Sequence, residues 1–163
     1  MQTAATAPIS EQFISFEGTE GVGKSTLIAN MAAHLTAQGI EFIQTREPGG
    51  SPFAEQLRTM LLDPATTMTE DSELLLMFAA RADHVAQVIL PALAQGKWVL
   101  CDRFTDSTIA YQGFGRKQGD RAELSKIELL IRHFVAKMPD ITIWLDLPVT
   151  EGMSRAKNRG KLD

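Results

Sequence analysis

The sequence predicts an α/β chain with a parallel, doubly wound sheet covered by helices on both faces. Three observations carry this. Short apolar runs of strand length alternate with longer helix-like stretches, and a Gly-rich turn separates the first run from the first helix. The length of 163 residues suits one domain with a real core and is too short for two comfortable ones.

Taken in order, Phe13–Glu17 reads as the first strand and Lys24–Gln38 as a helix ended by Gly39. Glu41–Arg46 reads as the second strand, closed by the breaker cluster Glu47-Pro48-Gly49-Gly50. Phe53–Leu62 makes a short helix that Asp63-Pro64 stops. Glu70–Gln95 is a long helical stretch, expected to kink near Pro91 and to end at Gly96. It is apolar on more than one face, which predicts burial against the sheet and against a second partner that another subunit could supply. Lys97–Asp102 is the third strand and Gly113–Asp120 a Gly-rich polar loop. Arg121–Lys137 reads as a helix with apolar residues at Leu124, Ile127, Ile131 and Phe134. Ile141–Leu147 is the fourth strand, and Thr150–Asn158 opens a last helix.

Composition excludes some classes. The net charge of −4 argues against broad nonspecific binding to nucleic acid. The single cysteine, Cys101, precludes an internal disulfide and fits a reducing, cytoplasmic setting. It lies in the run Trp98-Val99-Leu100-Cys101 and reads as a buried small apolar residue rather than a reactive thiol. Residues 1–9 read as a loose tail without the features of a secretory signal, and residues 10–163 as the folded domain. No apolar run reads as long enough to cross a membrane, so no membrane partner is expected.

The chemistry starts at Gly18-Thr19-Glu20-Gly21-Val22-Gly23-Lys24-Ser25, which fits the phosphate-binding pattern G-x-x-x-x-G-K-[ST] with a strand before it and a helix after. The glycines let successive backbone N–H groups turn inward around an anion. Lys24 can then reach the outer phosphates and Ser25 a Mg²⁺ ion. A nucleoside triphosphate is therefore expected along Gly18, Gly21, Val22, Gly23, Lys24, Ser25 and Thr26. Glu20 is odd here, a carboxylate in a loop built for phosphate. Asp102 ends the third strand where such a protein needs an acid for Mg²⁺ or its waters; the plainer alternative is a surface pair with Arg103. Lys24, Arg46, Arg58, Arg81, Arg103 and Arg116 are expected to face this rim. No Asn-Lys-x-Asp guanine reader is present, the nearest fragment being Asn158-Arg159.

Further markers are Thr45-Arg46-Glu47-Pro48-Gly49-Gly50, Phe78-Ala79-Ala80-Arg81 followed by His84, Asp102-Arg103-Phe104, and Tyr111-Gln112-Gly113. With the phosphate loop, in this order and spacing, they resemble the bacterial thymidylate kinases from Phe13 to the last residue. The resemblance implies transfer of the γ-phosphate of ATP to dTMP in a homodimeric enzyme with Mg²⁺. It implies that Lys24 serves the ATP phosphates, that Arg58 and Arg103 hold the dTMP phosphate, and that Ser25 and Asp102 support the metal. Glu20 would turn away from ATP toward the acceptor's 3′-hydroxyl. One subgroup carries an arginine at the next loop position; here it is Gly21, so the resemblance points to a lid arginine, Arg155 or Arg159, for transfer. Arg81 would meet a base oxygen, with Met77 or Phe78 covering the ring. Gln112, helped by Thr108, would read the base edge, and Tyr111 would lie by the sugar. Glu47 is expected near the metal or the acceptor phosphate, while His34 and His84 read as structural. No His/Cys cluster suggests zinc.

Family members continue past Gly160-Lys161-Leu162-Asp163 by roughly a further fifth of their length, so the chain reads as C-terminally incomplete, with the last sheet strand missing. Strand four is then expected as an exposed edge, and ATP binding as weaker relative to dTMP binding. Two other readings stay open: a kinase for another nucleoside monophosphate or a deoxynucleoside, and a catalytically weak nucleotide-binding fragment.

Overall fold

The structure, a computed structural model, describes residues 12–158. The expected tail, 1–9, and the candidate Arg159 lie outside the described residues. Four strands, β1 (Phe13–Glu17), β2 (Phe42–Arg46), β3 (Trp98–Asp102) and β4 (Ile141–Trp144), form one sheet in the order β2-β3-β1-β4. Every pairing is parallel, so each connection crosses over through helices. These are α1 (Lys24–Ala37), α2 (Pro52–Leu62), α3 (Glu70–His84), α4 (Leu90–Ala94), α5 (Thr105–Thr108) and α6 (Arg121–Phe134), with α7 (Val149–Asn158) following β4.

The central strands are buried on both faces, as a doubly wound sheet requires. Phe13, Val99 and Cys101 pack on Val85, Ile89 and Ala92 on one side. Ile14, Phe16 and Leu100 pack on Ile28, Ala32 and Leu35 of α1 on the other. Local signals start the helices. Ser51 accepts from Ala54 N ahead of a proline at the first turn of α2, Thr69 from Ser72 N, and Asp120 from Ala122 N and Glu123 N.

Several boundaries differ from expectation. α3 continues without a break through a widened turn, Val85–Ile89, into α4; there Leu90 N donates to Val85 O. The irregularity thus precedes Pro91, because the proline ring would press on the carbonyl of Gln87 and a wider turn relieves it. This Glu70–Ala94 helix, 25 residues at mean hydropathy 1.3, is long and apolar enough to cross a membrane, contrary to expectation. Its apolar residues are nevertheless used inside the fold. Val85, Ile89 and Ala92 face the sheet, Leu74 and Phe78 meet Ile127 and Leu130 of α6, and Ala80 meets Ala54 and Leu57 of α2. Part of its apolar surface is thus covered within the chain, while Leu75 and Leu90 stay exposed.

Gly113–Asp120 is not a loop throughout: α5 runs on through the wide-turned helical segment Ile109–Arg116. Gly113 is there for contact, since a Cβ on it would meet Leu124 Cδ2 at 2.8 Å. α6 ends at Phe134 rather than Lys137 and buries Glu123, Ile127 and Leu130, leaving Phe134 exposed. β4 stops at Trp144 rather than Leu147 because its partner β1 ends at the paired Glu17. Among the described residues β4 is an edge strand, with Trp144 71% exposed.

Candidate active site

β1 and β3 are neighbours in register, Phe16 opposite Asp102, so the segments leaving their carboxyl ends share one crevice. From β1 comes the loop 18–23. Gly18, Gly21 and Gly23 take φ of 142°, 74° and 105°, a region that favours glycine and turns the backbone around a concavity. Arg103 follows β3 with φ of 70°, and α3 and the α5 segment complete the wall. The resulting cleft of about 580 Å³ is lined by Lys24 and Ser25, by Asp102 and Arg103, and by Met77 and Arg81.

Lys24 is nearly buried, and its Nζ donates to Gly18 O at 2.9 Å and Thr19 O at 3.1 Å, folded against its own loop. Burial lowers its pKa, and the nearby Arg103 charge lowers it further. Glu17 sits beneath the loop, buried, accepting from Phe104 N and Ser107 Oγ at 2.6 Å each. Burial raises its pKa against those two hydrogen bonds. Ser107 also accepts from Arg103 Nη1 at 3.2 Å, so Glu17 anchors the positive-φ turn that aims Arg103.

Asp102 Oδ1, Arg81 Nη1 and Gln112 Oε1 are buried with no hydrogen-bond partner, and all three residues line this cleft. Leaving such an atom unsatisfied costs about 1–3 kcal/mol, so the cleft offers one donor and two acceptors awaiting a ligand. Asp102 Oδ1, in a cleft also lined by Ser25, suits a hard oxygen-loving cation held mainly by phosphate oxygens. Among the described residues no cluster of three His, Cys, Asp or Glu could hold a metal by itself.

The thymidylate kinase family model matches residues 16–163, nearly the whole chain. This chain belongs to the thymidylate kinase family. It is 65% identical over 152 residues to the thymidylate kinase of Psychrobacter sp. (strain PRwf-1), covering 93% of this chain and 73% of that one. The thymidylate kinase of Acinetobacter baylyi is 56% identical over 153 residues, with 93% and 74% covered. The crystal structure of thymidylate kinase from Ehrlichia chaffeensis superposes with a TM-score of 0.76 at 40% identity, covering 90% of this chain and 82% of that one.

In this member of the thymidylate kinase family the cleft gathers most of the expected residues: Glu20, Gly21, Gly23, Lys24, Ser25, Arg58, Met77, Arg81, Asp102, Arg103, Tyr111 and Gln112. Arg58 Nη1 donates to Pro48 O at 2.8 Å, and Gln112 Nε2 to Glu73 Oε1 at 3.1 Å. The Arg103 guanidinium stacks on the Tyr111 ring at 5.5 Å. Gly18, Val22 and Thr26 do not line it, although Gly18 holds Lys24 through its carbonyl.

Other candidates are placed elsewhere. Phe78 is 2% exposed in the core with Leu74 and Ile127, beneath the Arg81 guanidinium, while Met77 lines the cleft. Glu73, Met77 and Arg81 are four apart along one face of α3, whereas Phe78, under Arg81, is turned toward α6 and packs on Ile127 and Leu130. Thr108 is fully buried, and its Oγ1 accepts from Arg81 Nη2 at 2.9 Å. Arg116 does not line the cleft; it pairs with Glu73 at 2.6 Å. Glu47, expected near the metal or acceptor phosphate, does line the cleft, and its carboxylate is held by Arg81 and His84. His84 is buried, as a structural histidine would be, and His34 is exposed. Arg155 is half exposed, paired with Glu151 one turn back, and away from the cleft.

What Arg155's helix brings to the site is backbone. A Cβ on Gly21 would lie 2.0 Å from Gly152 O, and one on Gly152 would lie 2.6 Å from Glu20 O. α7 therefore rests on the phosphate loop at two glycines, and an arginine at position 21 has no room. Sequence reasoning did not single out Gly152, Glu73, Ser107 or the anchoring role of Glu17. A carboxylate ending an apolar strand is the one signal that could have marked Glu17.

Proposed function

We propose that this chain transfers the γ-phosphoryl group of ATP to dTMP, giving dTDP by in-line displacement. The observation that carries it is one cleft joining a phosphate loop to a wall with an unpaired donor, Arg81 Nη1, and an unpaired acceptor, Gln112 Oε1. A pyrimidine edge with carbonyl oxygen and ring N–H pairs with that combination.

The nucleophile is a phosphate oxygen already ionised at neutral pH, so positioning and charge stabilisation replace a strong base. Lys24 leaves its loop carbonyls for the β- and γ-phosphates, and the loop's N–H groups cradle them. Arg58 and Arg103 receive the acceptor phosphate, countering the repulsion between two anions. Ser25 and Asp102 would hold a Mg²⁺ ion, which would supply charge neutralisation on the phosphates. Met77 covers the base, Glu20 and Tyr111 face the sugar, and Thr108 acts by holding Arg81. Arg155 or Arg159 supplies transfer charge after the lid moves. Residues 10–163 act as one cytoplasmic kinase domain in a homodimer; Leu75 on α3 and Leu129 on α6, both more than half exposed, are apolar surface a second copy would cover. The net charge of −4 favours small-molecule substrates over nucleic acid.

ADP release measured with and without dTMP tests this. The expected result is dTMP-dependent turnover, with dUMP, dCMP and thymidine poorer acceptors. Acceptor-independent hydrolysis, or no turnover, would sink the reading.

A further inference from the structure

We propose that Glu47 and His84 are positioning residues that hold Arg81 so that a single guanidinium nitrogen, Nη1, reads the acceptor base. The proposal rests on the reading of Arg81 as facing that base. Arg81 is 2% exposed, and the protein takes up most of its guanidinium. Nε donates to Glu47 Oε2 at 2.6 Å, and Nη2 donates to Thr108 Oγ1 at 2.9 Å and Phe104 O at 3.3 Å. The rings of Phe78 and Phe104 lie 5.0 and 5.2 Å from it. Only Nη1 of this side chain is left without a partner.

The lock extends one residue further. The second oxygen of Glu47 lies 3.1 Å from His84 Nδ1, and His84 Nε2 lies 2.7 Å from Thr45 Oγ1. A carboxylate bonded to Arg81 offers only acceptors, so Nδ1 carries the proton and donates to Glu47. Thr45, His84, Glu47 and Arg81 form one chain of contacts from β2 to the cleft. The turn after β2 is packed down on the imidazole: a Cβ on Gly50, at φ 96°, would meet the His84 ring at 2.3 Å and Thr45 Oγ1 at 2.6 Å. Glu47 N also donates to Asp102 O at 3.0 Å, tying the same turn to the end of β3.

The consequence is specificity. A guanidinium free to turn could offer or withdraw a donor to suit any base edge. A fixed Nη1, whose two hydrogens can only donate, rewards a carbonyl oxygen and penalises an amino group at the same place, as in cytosine. Glu47 and His84 therefore act on acceptor discrimination through Arg81.

Equilibrium titration of the whole chain with dTMP, dCMP and ATP tests this in wild type, His84→Gln, His84→Asn and Thr45→Val. The glutamine amide nitrogen falls where Nε2 was and leaves Glu47 unheld. His84→Gln should weaken dTMP binding about tenfold and cut the dTMP-over-dCMP preference by a similar factor, with ATP binding unmoved. The asparagine amide nitrogen falls where Nδ1 was, so His84→Asn should recover most of that loss. Thr45→Val, a milder change that keeps the fold measurable, should cost about threefold for dTMP alone. Equal losses in both histidine variants, parallel loss of dTMP and ATP, or an unmoved dTMP-over-dCMP ratio would overturn the proposal. A wild type with no preference for dTMP over dCMP would instead overturn the acceptor reading, and the proposal with it.

Discussion

The two walls of the cleft are built differently. On the acceptor side, Arg81 is buried among Glu47, Thr108, Phe78 and Phe104, on elements far apart in sequence. On the phosphate side, Lys24 bonds to carbonyls five and six residues away in its own loop. The acceptor wall is thus fixed by tertiary structure before ligand arrives. The phosphate wall is local, with Lys24 held by carbonyls of its own loop. Specificity is stored where reorganisation is small, and charge stabilisation where groups must move.

Breaking the acceptor wall should cost the most. Arg81→Met leaves Glu47 buried without its partner, so denaturant unfolding should show a loss of about 3–5 kcal/mol. Arg155→Met, removing an exposed pair, should change stability by less than about 1 kcal/mol. Similar losses in the two would erase the contrast.

Lys24→Ala should lower kcat about 10²–10³-fold, because it removes a charge that stabilises the transferring group. Steady-state ADP release should show KM for dTMP nearly unchanged; a matching rise would mean the walls are not independent.

Gly152→Ala places a methyl 2.6 Å from Glu20 O, backbone that cannot step aside cheaply. Overpacking of this kind costs about 1–3 kcal/mol, and it should appear as a raised KM for ATP in steady-state ADP release; an unchanged KM would mean that α7 does not bear on the phosphate loop.

The smallest effect is a pH dependence. Burial holds the Glu17 pKa above the usual 4.5 in the folded chain, so the folded state binds its proton more tightly than the unfolded one. That contribution is complete below 4.5 and is lost as pH rises through the folded value. Glu17→Gln lacks the titration, so the stability difference between variant and wild type should shift toward the variant as pH rises across this window. A difference flat with pH would contradict the burial argument.

The pattern from Gly18 to Ser25, the breaker cluster after β2 and the alternation of strand and helix made the fold and the phosphate side legible in sequence, because these are local devices. Reading failed where the deciding partner lies on another element of the chain. Phe78 and Met77 are adjacent in sequence, yet packing of α3 on α6 sends one to the core and leaves the other on the cleft. Gly113 looked like a loop glycine, and its real partner is Leu124 on the next helix. Arg116 carried the right charge, but Glu73 holds it outside the cleft.

By itself the sequence determined the α/β class, the phosphate loop and the set of cations and acids available for transfer, since spacing along one segment fixes backbone geometry there. Only the tertiary structure decided that the Glu47 carboxylate pairs with Arg81 and His84, that one Arg81 nitrogen has no partner, and that α7 meets the loop at Gly21 and Gly152. Those outcomes depend on which distant atoms burial forces into contact. No short window of sequence carries that information.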